Sequence, residues 1–269
     1  RPDLIQGWMY GGNIVASLSS IGICRSVYHS VRSSNMDNAR YGRQIRLNAA
    51  LSYTSVVTVA NSQSGLDFHV ARGFSRKKIR LIPNGIDNKI FQPNKVSRKT
   101  LREELGIRPD EFVVLYAARV DPMKAHDLLI LSARLCPEIK FIFVGLGTDR
   151  MNLPENVLGL GVRRDMPVIF NASDWVISWS HYGEGFPNVI GEAMACGVPV
   201  IANNIGDSWS LLDDIGFKSS ATSPQEIARD LRSLRTKQLS SRSKAKVKSR
   251  INKNFTVERM VEAYVSLYQ

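Results

Sequence analysis

The chain has 269 residues, 43% of them apolar, and its 36 Lys and Arg against 24 Asp and Glu give a net charge of +12. That length and apolar content can bury a sizeable core, as one large domain or two small ones, which excludes disorder throughout. Three cysteines without metal-ligand spacing exclude a disulfide framework or a zinc site, no run of eighteen apolar residues occurs, and RPDLIQGW has no signal-peptide pattern, so a cytoplasmic protein, at most peripheral on a membrane, is expected.

Apolar periodicity predicts strands at 4–6, 25–29, 56–60 and 78–82, with helices at 8–20, 37–51 and 62–73 between them. His29 ends the second strand with Arg32 close behind. His69 falls in what reads as a surface helix. Asn84-Gly85 is a strong turn signal, and Asp87 is placed to cap a short helical segment. Five further strands, at 112–118, 139–144, 157–160, 175–178 and 198–202, alternate with helices, the pattern of a doubly wound parallel sheet whose ligand crevice lies at the strand C-termini. Arg119 directly follows the first of these strands and Lys124 precedes a helix opening near Ala125, so both can point at an anion there. Gly145 and Gly147 follow the second, where glycine permits a tight turn or the close approach of a ligand. Val162 and Arg163 follow the third.

Residues 184–200, EGFPNVIGEAMACGVPV, set two carboxylates eight residues apart around a helix start. Gly183 and Gly185 flank Glu184, Pro187 suits a first helical position, Gly197 suits the position after a helix end, and Pro199 blocks continuation. Glu184 thus falls in the loop and Glu192 in the helix. Free N–H groups near Asn188 and Val189 suit a phosphate, and the Glu192 carboxylate can accept both hydrogen bonds of a ribose diol. From 232 to 253 run nine Lys or Arg and no acid. A solvated helical face, an anionic membrane surface or nucleic acid are open readings; without interleaved aromatics or nucleic-acid signatures, nucleic acid is the least supported. Thr256 is placed to cap a last helix.

Taken together, IPNGID at 82–87, AARVDPMKAHDLLI at 117–130, FVGLG at 143–147 and ASDWVISWSHYGEGFPN at 172–188 resemble, in order, the motifs of the retaining glycosyltransferases of family 4, with Glu184 and Glu192 as the E-x7-E pair. The resemblance implies an α/β protein of GT-B type, two facing Rossmann-like domains. It would place residues 1–86, joined by 255–269, in an acceptor-side domain that accounts for about half of the family's usual N-terminal domain and lacks its opening glycine-rich loop. Residues 87–254 would form the donor domain. It further implies catalytic roles for Glu184, Arg119, Lys124 and His29, the last by its place on the facing domain. The donor would be held by Glu192, Gly185, Phe186, Pro187, Asn188, Val189, Gly145, Val162 and Arg163. No cofactor and no metal are expected; the co-substrate is a UDP- or GDP-linked sugar and the acceptor a glycan or a lipid-linked molecule. A nucleotide-sugar-binding fragment without turnover is the alternative. Ala125 departs from the glycine frequent in the family at that point, which raises the expectation of a shifted local backbone.

Overall fold

The computed structural model describes residues 1–237 and 241–269; residues 238–240, within the basic run, lie outside the described residues. The first unit runs β1 (Ile5–Gln6), α1 (Met9–Ser19), β2 (Val27–Val31), α2 (Asn38–Leu51), β3 (Val57–Ala60), α3 (Gln63–Val70) and β4 (Ile79–Leu81). These strands form a parallel sheet in sequential order. Strand β2 begins and ends two residues later than its apolar pattern predicts. All five of its residues are buried, so alternation gives no end signal, and pairing with β3 carries the strand to Val31. This shift puts His29 at the centre of the strand.

The second unit begins with α4 (Lys95–Glu104), followed by β5 (Val113–Ala117), α5 (His126–Leu135), β6 (Lys140–Val144), β7 (Val157–Gly159), α6 (Met166–Ala172) and β8 (Trp175–Ser178). It continues with α7 (Asn188–Ala195), β9 (Val200–Ala202), α8 (Ser208–Leu212), β10 (Phe217–Lys218), α9 (Pro224–Arg235), α10 (Ser241–Asn254) and α11 (Val257–Tyr268). Its six strands are ordered β10-β9-β8-β5-β6-β7, all parallel. The order reverses at β5, and a crevice is required between the C-terminal ends of β5 and β8. One core fills the face covered by α6 and α7, around Leu115, Ile142, Phe170 and Ile190. The opposite face, under α5 and α9, buries Tyr116, Phe141, Leu129 and Leu231. Each such side chain contributes on the order of 1.5–3 kcal/mol on burial.

Helix α4 and strand β10 extend the predicted pattern. Asn94 caps α4 by accepting from Val96 N and Ser97 N, both at 3.0 Å, and Leu101 seats the helix in the core. Asp87 accepts from Lys89 N and Ile90 N, which caps a turn rather than a helix. The chain passes between the units twice, side by side: Ile86 N donates to Phe255 O at 2.8 Å, and Ile86 bridges Thr256 in parallel. Gly85 lies so close to Val257 that a Cβ would meet its Cα at 2.5 Å. Thr256 Oγ1 caps α11, accepting from Arg259 N at 3.3 Å. Helix α11 then returns to the first unit, where Tyr268 stacks edge-on against Tyr28 at 5.1 Å and donates to Gln6 Oε1 at 3.0 Å.

Candidate functional site

Strand β8 ends at Ser178, and the chain loops over the crevice before α7. Gly183, at φ +83°, abuts the Met123 side chain, and that turn brings Glu184 back over β5. Glu184 Oε1 accepts from Ser180 Oγ at 2.7 Å and pairs with Lys124 Nζ; both side chains are less than one-fifth exposed. Lys124 is held in place by an antiparallel bridge to Ser180. Ala125 takes up φ −80° and is fully buried, a conformation open to an L-residue.

The peptide of Glu184 is also held from the first unit. Ser34 N donates to the Glu184 carbonyl at 3.0 Å, and Ser34 Oγ donates to the same oxygen. Gly185 presses against that unit: a Cβ there would lie 2.6 Å from Asn61 Oδ1 and 2.8 Å from Arg32 O. Phe186 is buried against Phe255 at 5.4 Å. Pro187 is the cap of α7 rather than its first helical residue, because its ψ of 99° is extended. It supplies no side-chain acceptor, so the first N–H groups of α7 lack a side-chain cap. Asn188 Oδ1 accepts from Asn84 Nδ2 at 2.6 Å, and Gly197 at φ +72° closes the helix.

Beside this loop lies a cavity of about 260 Å³ between the ends of β5 and β6 and the start of α7. Arg119, Gly145, Val162, Arg163, Val189 and Glu192 all line it, six residues singled out from sequence. Leu146, inside the FVGLG turn, and Met166, which no motif marks, add apolar wall. Gly145, at φ +143°, leaves no room for a Cβ against Ala118 O, so the close packing of strand ends needs glycine here. Glu192 has no paired side chain among the described residues, and burial pushes its carboxyl up from 4.5 to about 7. Arg119 is 60% exposed and turned onto Asp121 Oδ2, with Nη2 at 3.0 Å and Nε at 3.1 Å. The Met123 N–H and this guanidinium hold the Asp121 carboxyl below its usual range. Asp121 is a site residue that sequence reasoning passed over, although it lies two positions from Arg119. Arg163 pairs with Asp165 at 2.8 and 2.5 Å.

His29 does not join this cluster. It is fully buried in β2, its Nε2 is 2.8 Å from Ser17 Oγ on α1, and burial lowers its pKa to about 4. The two-residue strand shift turned a candidate at a strand end into a core histidine. His69 is likewise buried, against Tyr10 Oη at 2.8 Å, rather than on the surface. Among the described residues no three His, Cys, Asp or Glu side chains come together as metal ligands, and no helix is long and apolar enough to cross a membrane. Along the basic run, Arg232 pairs with Glu138, Lys246 with Asp214 and Arg250 with Asp213.

The family model described as glycosyl transferases group 1 matches residues 97–253, more than half of the chain and every residue that lines the cavity. The chain belongs to that family. It is 31% identical over 145 residues to a D-inositol 3-phosphate glycosyltransferase of Mycobacteroides abscessus, covering 48% of this chain and 32% of that protein. The same enzyme of Mycobacterium marinum is 30% identical over 145 residues, covering 48% and 30%. The matched part thus spans about a third of the length of these curated relatives. Among solved structures, Anabaena HepE in complex with UDP superposes with a TM-score of 0.87 at 24% identity, over 98% of this chain and 78% of that one. Sucrose-phosphate synthase from Thermosynechococcus elongatus superposes with a TM-score of 0.83 at 21% identity, over 98% and 72%. The fold of this group 1 chain is therefore GT-B, two Rossmann-like units with parallel sheets.

Proposed function

We propose that this chain transfers a sugar from a nucleotide diphosphate donor to an acceptor with retention of configuration and without a metal ion. The observation that carries the reading is the cavity at the β5–β6–α7 junction, where an unpaired Glu192 and the exposed Arg119 face one space beside the Lys124–Glu184 pair. A ribose diol fits the Glu192 carboxylate, which accepts both of its hydrogen bonds once ionised. The nucleobase lies among Leu146, Val162 and Met166 and meets backbone rather than side-chain polar groups, so the side chains do not set the base. UDP is the first nucleotide to test because HepE was crystallised with UDP and with UDP-glucose; GDP remains the alternative.

As the bond to the sugar breaks, negative charge develops on the leaving diphosphate. Arg119, Lys124 and the N–H groups of α7 are oriented dipoles and charges that stabilise it, the part a divalent cation plays elsewhere. Diphosphate competes with Asp121 for Arg119 and with Glu184 for Lys124. Displacing Lys124 frees Glu184 to meet the transferred sugar as its anomeric carbon becomes electron-poor; its role is to position and stabilise that carbon. A glycan or lipid-linked acceptor approaches from the first unit. The basic run is a weaker candidate for an anionic membrane than its composition implies, since three of its cations already have carboxylate partners.

Titration calorimetry with UDP, GDP and ADP tests the donor site. Selective binding of one nucleotide, lost in Glu192→Ala and in Arg119→Ala with Lys124→Ala, is expected; no binding to any of the three sinks the reading. A sugar-transfer assay insensitive to EDTA is the corresponding test of metal independence. Binding without turnover would favour a nucleotide-sugar-binding fragment.

A further inference from the structure

Asp207 belongs to the second unit, in the loop after β9, yet its carboxylate is spent on the first. Oδ2 accepts from Gln63 N at 2.7 Å and Oδ1 from Ser64 N at 2.9 Å. These are two of the N–H groups that the first turn of α3 leaves unfilled, and α3 carries no acid of its own in that turn. Ser62, the residue's own cap, takes only Gly65 N, at 3.0 Å. One helix end is therefore capped jointly, by a hydroxyl from its own unit and a carboxylate from the other.

The same residue also holds the glutamate loop. Asp207 N donates to Gly185 O at 2.9 Å. Gly206, at φ +62°, packs so tightly on Gly185 O and Glu184 that a Cβ would meet them at 2.5 and 2.9 Å. Ser34 reaches the adjacent Glu184 carbonyl from the first unit. Two successive peptides of the loop are thus gripped, one from each side of the cleft, while the Glu184 carboxylate is set by Lys124 and Ser180.

We infer that Asp207 is a positioning residue: its bidentate grip on the N-terminus of α3 latches the two units closed, and the latch carries Glu184 into register with the donor. This rests on the glycosyltransferase reading for its consequence in turnover, but the latch itself does not. Separating the units breaks the contacts of Asp207 with α3 and of Ser34 with Glu184, which frees the Glu184 carbonyl and leaves the segment held only from its own unit, through Asp207 N on Gly185 O. The donor cavity is lined entirely from the second unit and is left intact.

The test is a spin-label distance across the cleft, between Arg43→Cys on α2 and Arg229→Cys on α9, in a Cys24→Ser background, with UDP affinity and sugar-transfer rate measured on the same proteins. In Asp207→Ala the distance lengthens and broadens and UDP affinity holds. Turnover falls through kcat on the order of a hundredfold, as for other small misplacements of a reacting group. Asp207→Asn, which keeps one acceptor oxygen, falls between. Ser62→Ala removes the cap within the first unit and leaves the distance at its wild-type value. An unchanged distance in Asp207→Ala overturns the latch, and so does a parallel loss of UDP affinity and melting temperature at unchanged distance, which marks a purely structural residue. A wild-type chain that binds no nucleotide fails the glycosyltransferase reading instead, and the distance still decides the latch.

Discussion

Glu184 and Glu192 stand in one motif, and the two places they occupy are electrostatic opposites. The loop around Glu184 is saturated: its carboxylate has a lysine and a serine, and its carbonyl has Ser34 from the facing unit. The first turns of α7 leave Glu192 alone against an apolar wall, with its carboxyl raised to about 7. A carboxylate that already has a cation is fixed in place and exchanges partners as the diphosphate arrives. One whose pKa is raised by burial is only partly charged near neutral pH, and donors that come to meet it favour the charged form.

The sharpest way to break this comparison is to remove one charge at a time. Glu184→Gln keeps a group for Ser180 to meet yet loses the charge that faces the sugar; turnover is expected to fall on the order of 10²–10³-fold in an initial-rate transfer assay, while nucleotide affinity rises as Lys124 is released to the diphosphate. Glu192→Ala acts the other way, weakening the nucleotide on the order of 10- to 100-fold in calorimetric titration through loss of hydrogen bonds to an ionised group. Equal effects of the two changes on affinity would erase the distinction.

Acidity provides a third test. The raised folded pKa of Glu192 means that the folded state keeps a proton that the unfolded chain has lost, so its stabilising effect is full below about 4.5 and disappears as pH rises through about 7. Glu192→Gln should therefore gain stability over the parent at pH 8, on the order of 1–3 kcal/mol in denaturant melts, and gain little at pH 4. Nucleotide affinity of the parent should rise between pH 6 and 8, and that rise should vanish in Glu192→Gln. The smallest effect belongs to Asp121. Its pair with the exposed Arg119 is worth no more than about 1 kcal/mol, so Asp121→Ala should tighten nucleotide binding by about two- to fivefold.

Much of this site is legible in the chain because strand-end chemistry is local. Arg119, Gly145, Val162, Arg163 and Val189 sit directly after strands or at a helix start, and parallel order alone brings those ends together. What the sequence hid was set by partners far away along it. A buried strand has no polar face to mark its ends, so a two-residue shift in β2 moved His29 from the cleft to the core. Strand β10 is two residues long and exists through its pairing with β9. The run at 232–253 reads as a free basic face because its carboxylate partners, Glu138, Asp213 and Asp214, stand elsewhere in the chain. Asp207 carries no motif, and its partners lie 143 and 144 residues away.

The return of α11 sets an order of assembly. Tyr28 and Gln6, in the first two strands, find their covering partners 239 and 262 residues downstream, at Leu267 and Tyr268. While the chain is still emerging from the ribosome, the earliest sheet waits with these residues bare, although the later sheet can already close on itself. Loop closure over that distance is slow and comes last. The unit made first is the unit finished last, and a stop a few codons before Tyr268 would be felt at the opposite end of the sequence.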